Sequence, residues 1–274
     1  MSTDVEWEKW GRQDPYFGVI TYERFRTKHL DEAALAEFFQ SGDVHVQCVL
    51  QSCKAYVGQD FSPRRVLDFG CGVGRLVIPF AALAERVTGV DVSPGMLEEA
   101  TRNCEERSLT NVELLLSDDD LSRVQGQFDL VHSAITLQHI EVARGRHLFK
   151  RLLDLLAPEG VMAMHLTYAK AYHPETMGQP PEILPAGPPG PALVQAPPRA
   201  GLWARLLRRT EPPVAEVPPP STVEPPPADP QMLMNPYDLN HIAYLMQIAG
   251  INRFHAEFTD HGGELGVFLF ARKP

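Results

Sequence analysis

The chain has 274 residues, a formal net charge of −10 and 44% hydrophobic residues, a composition typical of a globular domain with an insertion. The acidic balance argues against a nucleic-acid partner, because phosphate binding requires a basic surface. No apolar run approaches the roughly 20 residues that cross a bilayer, and the N-terminus resembles neither a secretory signal nor a transit peptide. The four cysteines lack the spacing of a zinc site or a disulfide framework. We therefore expect a cytoplasmic protein with a small-molecule or glycan-like partner.

Strand-like and helix-like segments alternate through the first two thirds of the chain, after an expected N-terminal cover or lid at residues 1–39. Short apolar runs predict five strands, and helix-like stretches follow the first four. Such alternation indicates a parallel sheet that is buried on both faces. The predicted strands are 66–69, 87–92, 112–117, 128–134 and 160–166, and the predicted helices are 75–84, 94–106, a short uncertain one at 119–124, and 145–156.

A proline-rich insertion at 174–230 follows the fifth strand and holds 18 of the 25 prolines. Because proline fixes φ and lacks an N–H donor, we expect this insertion to be largely irregular. Within it, residues 199–211 place leucines and a tryptophan beside arginines. Such a basic amphipathic helix could make a weak contact with a membrane surface or another protein, or dock on the domain itself.

The chain after the insertion predicts one more helix and a closing hairpin. Asn235 can cap the helix and Gly250 can end it. Two apolar runs, 254–260 and 266–273, flank a glycine-containing loop and predict an antiparallel hairpin. The sequence therefore predicts an α/β fold: a Rossmann-like, seven-stranded, mostly parallel sheet with a C-terminal antiparallel hairpin, formed by residues 40–173 and 231–274.

A glycine-rich loop after the first strand is the strongest functional signal. Gly70, Gly72 and Gly74 alternate directly after the strand that contains Asp68. Glycine allows positive φ and a close approach of a ligand to the backbone. Asp91 ends the second strand, where a carboxylate can accept hydrogen bonds from ribose hydroxyls. The GxGxG spacing differs from the GxGxxG of dinucleotide-binding loops.

Five segments resemble, in order, the motifs of class I S-adenosylmethionine (SAM)-dependent methyltransferases of the bacterial small-molecule type: DFGCGVG, GVDVSPGMLEEA, LLLSDDDL, FDLVHSAITLQHI and LLAPEGVMAMH. The resemblance implies an enzyme with SAM as cofactor. It implies that the glycine loop holds the methionine part, that Asp91 binds the ribose, and that Asp118 and Asp119 lie beside the adenine. The implied cofactor-binding residues are Asp68, Gly70, Cys71, Gly72, Gly74, Asp91, Val92, Asp118, Asp119 and Ser133. No metal is expected, because the acidic ligands that some family members carry after strand four are missing around His139.

Three histidines are candidates for the catalytic base, since ligands bind at the carboxyl ends of parallel strands. His139 follows strand four, His165 lies near the end of strand five, and His261 lies in the hairpin loop beside Asp260, which could set its tautomer. An imidazole titrates near neutral pH, which suits the removal of a hydroxyl proton. Each of these histidines could instead be structural.

These observations predict a SAM-dependent methyltransferase for a small-molecule or sugar-containing acceptor, with transfer to oxygen. Two alternatives remain open at this point. One is a non-catalytic SAM-binding scaffold that recruits partners through the proline-rich insertion. The other is a nicotinamide-binding oxidoreductase, which the glycine spacing disfavours.

Overall fold

The computed structural model describes residues 3–170 and 229–274. Residues 3–170 and 230–274 belong to one compact unit. The proline-rich insertion predicted at 174–230, including the basic segment 199–211, lies outside the described residues except for its last two positions. Within the described ranges, no helix is long and apolar enough to cross a membrane.

Seven strands form one sheet in the order β3-β2-β1-β4-β5-β7-β6. Strands β1 to β5 are parallel, whereas β7 runs antiparallel between β5 and β6. The predicted Rossmann-like sheet with its closing hairpin is therefore confirmed. The strands are β1 Arg65–Phe69, β2 Arg86–Asp91, β3 Val112–Leu116, β4 Phe128–Ser133, β5 Leu156–Lys170, β6 His255–His261 and β7 Glu264–Arg272.

Helices cover both faces of this sheet, as the apolar strands require. Helices α3, α4 and α5 pack on one face around Val46, Phe80 and Cys104. Helices α6 and α7 pack on the other face around Phe149 and Met246. The helices are α1 Thr3–Gln13, α2 Pro15–Val19, α3 Glu32–Tyr56, α4 Val77–Ala81, α5 Pro94–Glu106, α6 Val142–Asp154 and α7 Leu239–Ile248.

The N-terminal segment packs on the sheet domain through α1 and α5. Gly11 of α1 faces the start of α5, where an added Cβ would overlap the Ser93 side chain. Trp10, Phe25 and Phe38 form a third apolar cluster beneath this segment. Helix α3 begins within the predicted cover and continues along the sheet to Tyr56, so the boundary expected at residue 39 lies inside one helix.

Several predicted helix bounds were wrong for local reasons. The helix predicted at 75–84 spans only Val77–Ala81, because the turn of the glycine loop continues through residue 76. Residues 119–124 form turns and no helix, since the Asp118 carboxylate accepts the N–H groups of Asp120 and Ser122. Helix α6 begins at Val142, three residues before the predicted start, after the cap Glu141.

The helix predicted to follow a cap at Asn235 starts at Leu239, with Asp238 as its cap. The Asn235 side chain instead donates to the carbonyl oxygens of Gln138 and Ile140. Residues 235–237 therefore hold the loop that follows β4, and this tertiary contact replaces the expected first helical turn.

Candidate cofactor and active site

The glycine loop leaves the carboxyl end of β1 in a conformation that favours glycine. Gly70, Gly72 and Gly74 have φ angles of +77°, +51° and +84°, where other residues are strained. The N–H groups of Gly70 and Cys71 both donate to the Val90 carbonyl oxygen, at 2.8 and 3.0 Å. The loop is thus attached to the end of β2, and its backbone is positioned for a close contact with a ligand.

Asp91 lies between this loop and the start of α5. Its Oδ2 accepts the Gly72 N–H and its Oδ1 accepts the Ser93 N–H, both at 2.9 Å. Desolvation raises the pKa of Asp91 to about 6, although these hydrogen bonds oppose the shift. A carboxylate has about four acceptor sites, so Asp91 keeps acceptor capacity for a ribose hydroxyl beyond its backbone contacts.

Asp68 and Arg75, on the two sides of the glycine loop, each have a charged-group atom that finds no hydrogen-bond partner among the described residues. Asp68 is buried in β1; its Oδ1 lies 2.8 Å from His132 Nδ1, and its Oδ2 accepts no hydrogen bond within the described part of the chain. Arg75 donates to Ser41 Oγ at 3.2 Å, while its buried Nε has no partner among the same residues. Desolvation lowers the pKa of Arg75 to about 10, and the Asp68 charge opposes this shift. The ammonium and carboxylate of a methionine moiety complement these two groups, so the site fits SAM.

The remaining residues expected at the cofactor have protein partners of their own. Asp118 caps the turn after β3, and its hydrogen bonds, first that from the Ser122 side chain, lower its pKa. Asp119 pairs with Arg144 Nε at 2.6 Å. Ser133 is buried and donates to the Phe69 carbonyl oxygen at 3.0 Å. Cys71 is buried in the loop, and burial raises the pKa of its thiol.

Val92 directly follows Asp91, and its backbone hydrogen bond lowers the pKa of the Asp91 carboxyl. The structure therefore brings Asp68, the three glycines, Asp91 and Val92 together at one edge of the sheet. Asp118 and Asp119 lie after β3 and are engaged in a turn and an ion pair.

The N-terminal segment covers this edge. Glu8 of α1 accepts hydrogen bonds from Ser93 Oγ and the Gly95 N–H, at 2.7 and 2.9 Å. Val19, at the end of α2, lies so close to Gly72 that an added Cβ would be 2.7 Å from Val19 Cγ2. Thr136, after β4, approaches Gly70 even more closely. The cofactor loop is therefore enclosed from both sides.

His139 lies apart from the other two candidate histidines. Its Nδ1 is 2.7 Å from the Leu233 carbonyl oxygen, and its ring meets Trp7 edge to face with centroids 5.0 Å apart. Burial lowers the pKa of His139 to about 4. In these contacts His139 joins the loop after β4, the N-terminal segment and the chain that precedes α7.

His165 and His261 lie together, with ring centroids 5.4 Å apart. His165 is buried in β5; its Nε2 is 2.9 Å from Thr259 Oγ1, and burial lowers its pKa to about 3. His261 is exposed, and partial desolvation lowers its pKa below the ordinary value while Asp260 opposes the shift. Of this pair, His261 is the one that solvent or a ligand can reach.

The hairpin differs from its prediction in two details. His261 is the last residue of β6 and pairs with Glu264, so the turn consists of Gly262 and Gly263 alone. Asp260 accepts the Gly263 N–H at 2.7 Å. The Asp260 carboxylate thus stabilises the turn, and the expected contact that would set the His261 tautomer is not observed among the hydrogen bonds of the described residues.

Sequence reasoning missed two histidines that connect to Asp68, one directly and one through the other. His132 of β4 contacts Asp68, and His45 of α3 contacts His132, with 3.1 Å between their Nε2 atoms. The signal was a histidine inside the buried run FDLVHSA, in the strand predicted beside β1. The register that pairs Asp68 with His132 appears only in the structure.

The profile of the methyltransferase domain family matches residues 66–160. Aklanonic acid methyltransferase DauC from Streptomyces sp. (strain C5) is 32% identical over 111 residues, or 39% of this chain and 50% of that protein. A ubiquinone biosynthesis O-methyltransferase from Methylocella silvestris is 34% identical over 108 residues, or 39% of this chain and 41% of that protein. The chain thus spans about half the length of the curated relatives that it matches.

Solved methyltransferases share the fold. Magnesium protoporphyrin IX methyltransferase (ChlM) from Synechocystis PCC 6803, solved with bound S-adenosylhomocysteine (SAH), aligns over all of both chains with a TM-score of 0.58 and 16% identity. The N-methyltransferase NodS from Bradyrhizobium japonicum WM9 aligns over both full chains with a TM-score of 0.55 and 13% identity.

The fold and the glycine-loop site together define a class I methyltransferase architecture. Residues 66–160 match the methyltransferase domain family, in agreement with the ordered motifs of the sequence. The sheet order and the family match do not support the nicotinamide-binding oxidoreductase considered from the sequence.

Proposed function

We propose that the chain is an enzyme that transfers a methyl group from SAM to oxygen of a small-molecule or sugar-containing acceptor. The observation that carries the proposal is Asp91, whose carboxylate spans the glycine loop and the start of α5 while retaining acceptor sites. The names of the two curated relatives, one acting on aklanonic acid and one in ubiquinone biosynthesis, support an organic small molecule as the acceptor.

The chain's own residues would bind and orient the cofactor, which supplies an electrophilic methyl on a sulfonium when bound. Asp91 would accept the ribose hydroxyls, while Asp68 and Arg75 would hold the charged ends of the methionine part. Holding donor and acceptor in line lowers the entropic barrier of the transfer. The contact of Val19 with Gly72 and that of Thr136 with Gly70 would exclude water from the loop.

A hydroxyl acceptor must lose its proton during the transfer. We assign the role of the base that accepts this proton to His261. This side chain is exposed at the carboxyl end of the sheet beside His165, and its lowered pKa keeps it neutral at neutral pH. A neutral imidazole can accept a proton. His139 and His165 are buried and bonded to Leu233 and Thr259, which favours structural roles for both.

Two measurements test the proposed function. Isothermal titration with SAM and SAH should give saturable binding to the wild-type chain. Incubation with SAM and a metabolite extract should then yield compounds that gain one methyl group, detected by untargeted mass spectrometry. Binding without any methylated product would favour the non-catalytic scaffold, and no binding of either compound would refute the proposal.

A further inference from the structure

Beneath the glycine loop, three side chains form a continuous hydrogen-bonded series that the proposed reaction does not itself require. Asp68 of β1 contacts His132 of β4, and His132 contacts His45 of α3, at 2.8 and 3.1 Å. His132 is fully buried and contacts the rings of Phe80 and Phe268, with centroid distances of 5.2 and 6.0 Å. An apolar residue would fill this position at a lower desolvation cost.

Chemistry fixes the direction of the hydrogen bond between Asp68 and His132. An ionised carboxylate only accepts, so Nδ1 of His132 must donate to Asp68. The pKa of His45 lies well below its ordinary value, mainly because of burial and then because of the nearby His132, Arg75 and His165. His45 is therefore neutral, and its Nε2–H can donate to Nε2 of His132. In this arrangement Nδ1 of His132 carries the proton that Asp68 accepts, and Nε2 of His132 faces His45.

The series does not saturate the carboxylate that it holds. His132 engages only Oδ1 of Asp68, and Oδ2 is buried without a partner within the described residues. Helix α3 is pressed against the loop, because an added Cβ at Gly42 would overlap the Arg75 carbonyl oxygen. His45 is thereby held at one distance from the loop. The Asp68 carboxylate is therefore held in one orientation, with Oδ2 able to accept a hydrogen bond from a cationic group of the ligand.

We infer that His132 is a positioning residue for the methionine end of the cofactor. Its Nδ1–H holds Asp68 so that Oδ2 remains available to the ligand's ammonium group, and His45 contacts the opposite nitrogen of the His132 ring and supports its orientation. The inference rests on the proposed function, because it takes SAM as the ligand. Neither histidine touches the reacting atoms in this assignment.

Two adenosine compounds separate this role from a general contribution to folding. SAH carries the amino-acid part, whereas 5′-methylthioadenosine retains the adenosine and lacks the ammonium and carboxylate. The quantity to measure, by isothermal titration, is the ratio of their dissociation constants, methylthioadenosine over SAH. A merely structural histidine would change both constants alike and leave this ratio unchanged.

The variants should rank in a defined order. His132→Leu should lower the ratio by about tenfold, equivalent to about 1.4 kcal/mol, with little change for methylthioadenosine. His132→Asn should restore the ratio to within about threefold of wild type, because its amide can donate to Asp68 as Nδ1 does. His165→Asn is the matched control, since it removes a buried histidine that also contacts Phe268, and it should not alter the ratio. Asp68→Asn should lower the ratio at least as much as His132→Leu.

A wild-type ratio near one, or an unchanged ratio in folded His132→Leu, would overturn the inference. Failure of the wild type to bind either compound would instead refute the proposed function and the inference with it. If His132→Leu does not fold, ¹⁵N spectra of the imidazole groups in the wild type test the inference instead. The His132 signals are assigned as those that disappear in His132→Asn. SAH should shift the His132 signals and methylthioadenosine should not; no response to SAH would overturn the inference.

Discussion

Replacing Asp91 by alanine tests the cofactor site most directly. In the proposed site this carboxylate would accept a hydrogen bond from the ribose, and it also accepts the N–H groups of Gly72 and Ser93. Hydrogen bonds to a charged group contribute about 1.5–3 kcal/mol. We therefore expect Asp91→Ala to weaken SAH binding by roughly 10- to 150-fold, which corresponds to that range of free energy.

The chain offers a matched control for the loss of backbone hydrogen bonds. Asp129 likewise accepts two backbone N–H groups, from Arg64 and Arg65, both at 2.9 Å. It lies at the opposite edge of the sheet, where the parallel strands begin. Asp129→Ala should therefore lower thermal stability through the same kind of loss while leaving the affinity for SAH unchanged.

The assay is isothermal titration of both variants with SAH, after circular dichroism and thermal unfolding have confirmed that each is folded. An unchanged dissociation constant in folded Asp91→Ala would remove Asp91 from the cofactor site. Equal weakening in Asp91→Ala and Asp129→Ala would show that general stability, and not ribose binding, sets the affinity.

Four further predictions concern pH, catalysis and packing. The pKa of Asp91 is raised to about 6, so its carboxyl gains a proton as the pH falls through that value. SAH affinity should then drop by up to about tenfold per pH unit. An affinity that does not depend on pH would contradict this prediction. His261→Ala should leave SAH affinity unchanged and lower the methylation rate by roughly 10²–10⁴; a loss below about tenfold would assign it no proton-transfer role. Tyr237→Phe removes the hydroxyl that lies within hydrogen-bond distance of two carbonyl oxygens after β4. Urea unfolding should show a free energy of unfolding lower by about 0.5–1.5 kcal/mol. An unchanged midpoint would mean that water replaces the hydroxyl. Gly11→Ala should displace α1 from α5, because its Cβ would overlap Ser93, and should increase proteolysis of the N-terminal segment.

The sequence alone was sufficient for the architecture of the domain. Strands with apolar, β-branched runs alternate with helices, and this local pattern dictates a parallel sheet that is covered on both faces. The glycine loop and Asp91 were also predictable, because close approach of a ligand to the backbone requires glycine and a strand end can present a carboxylate. These features depend on residues that are near one another in the chain.

Helix ends were less predictable, because contacts from distant residues competed with local signals. The Asn235 side chain has the chemistry of a helix cap, yet it donates to carbonyl oxygens almost 100 residues away in the sequence. The turn at residues 119–124, where the sequence offered a short helix, likewise depends on the Asp118 carboxylate, which accepts the N–H groups of Asp120 and Ser122. A side chain that suits two partners is assigned only when the tertiary structure brings one of them close.

The histidines show most clearly what only the tertiary structure decided. The sequence offered His139, His165 and His261 as candidate bases and favoured His261 by its place in the hairpin loop. Burial makes His139 and His165 poor proton acceptors, whereas His261 is exposed. The series Asp68–His132–His45 joins three separate elements through strand register and helix packing. No local pattern encodes such a series, because its hydrogen bonds join residues 64 and 87 positions apart and depend on how α3 and β4 pack around β1.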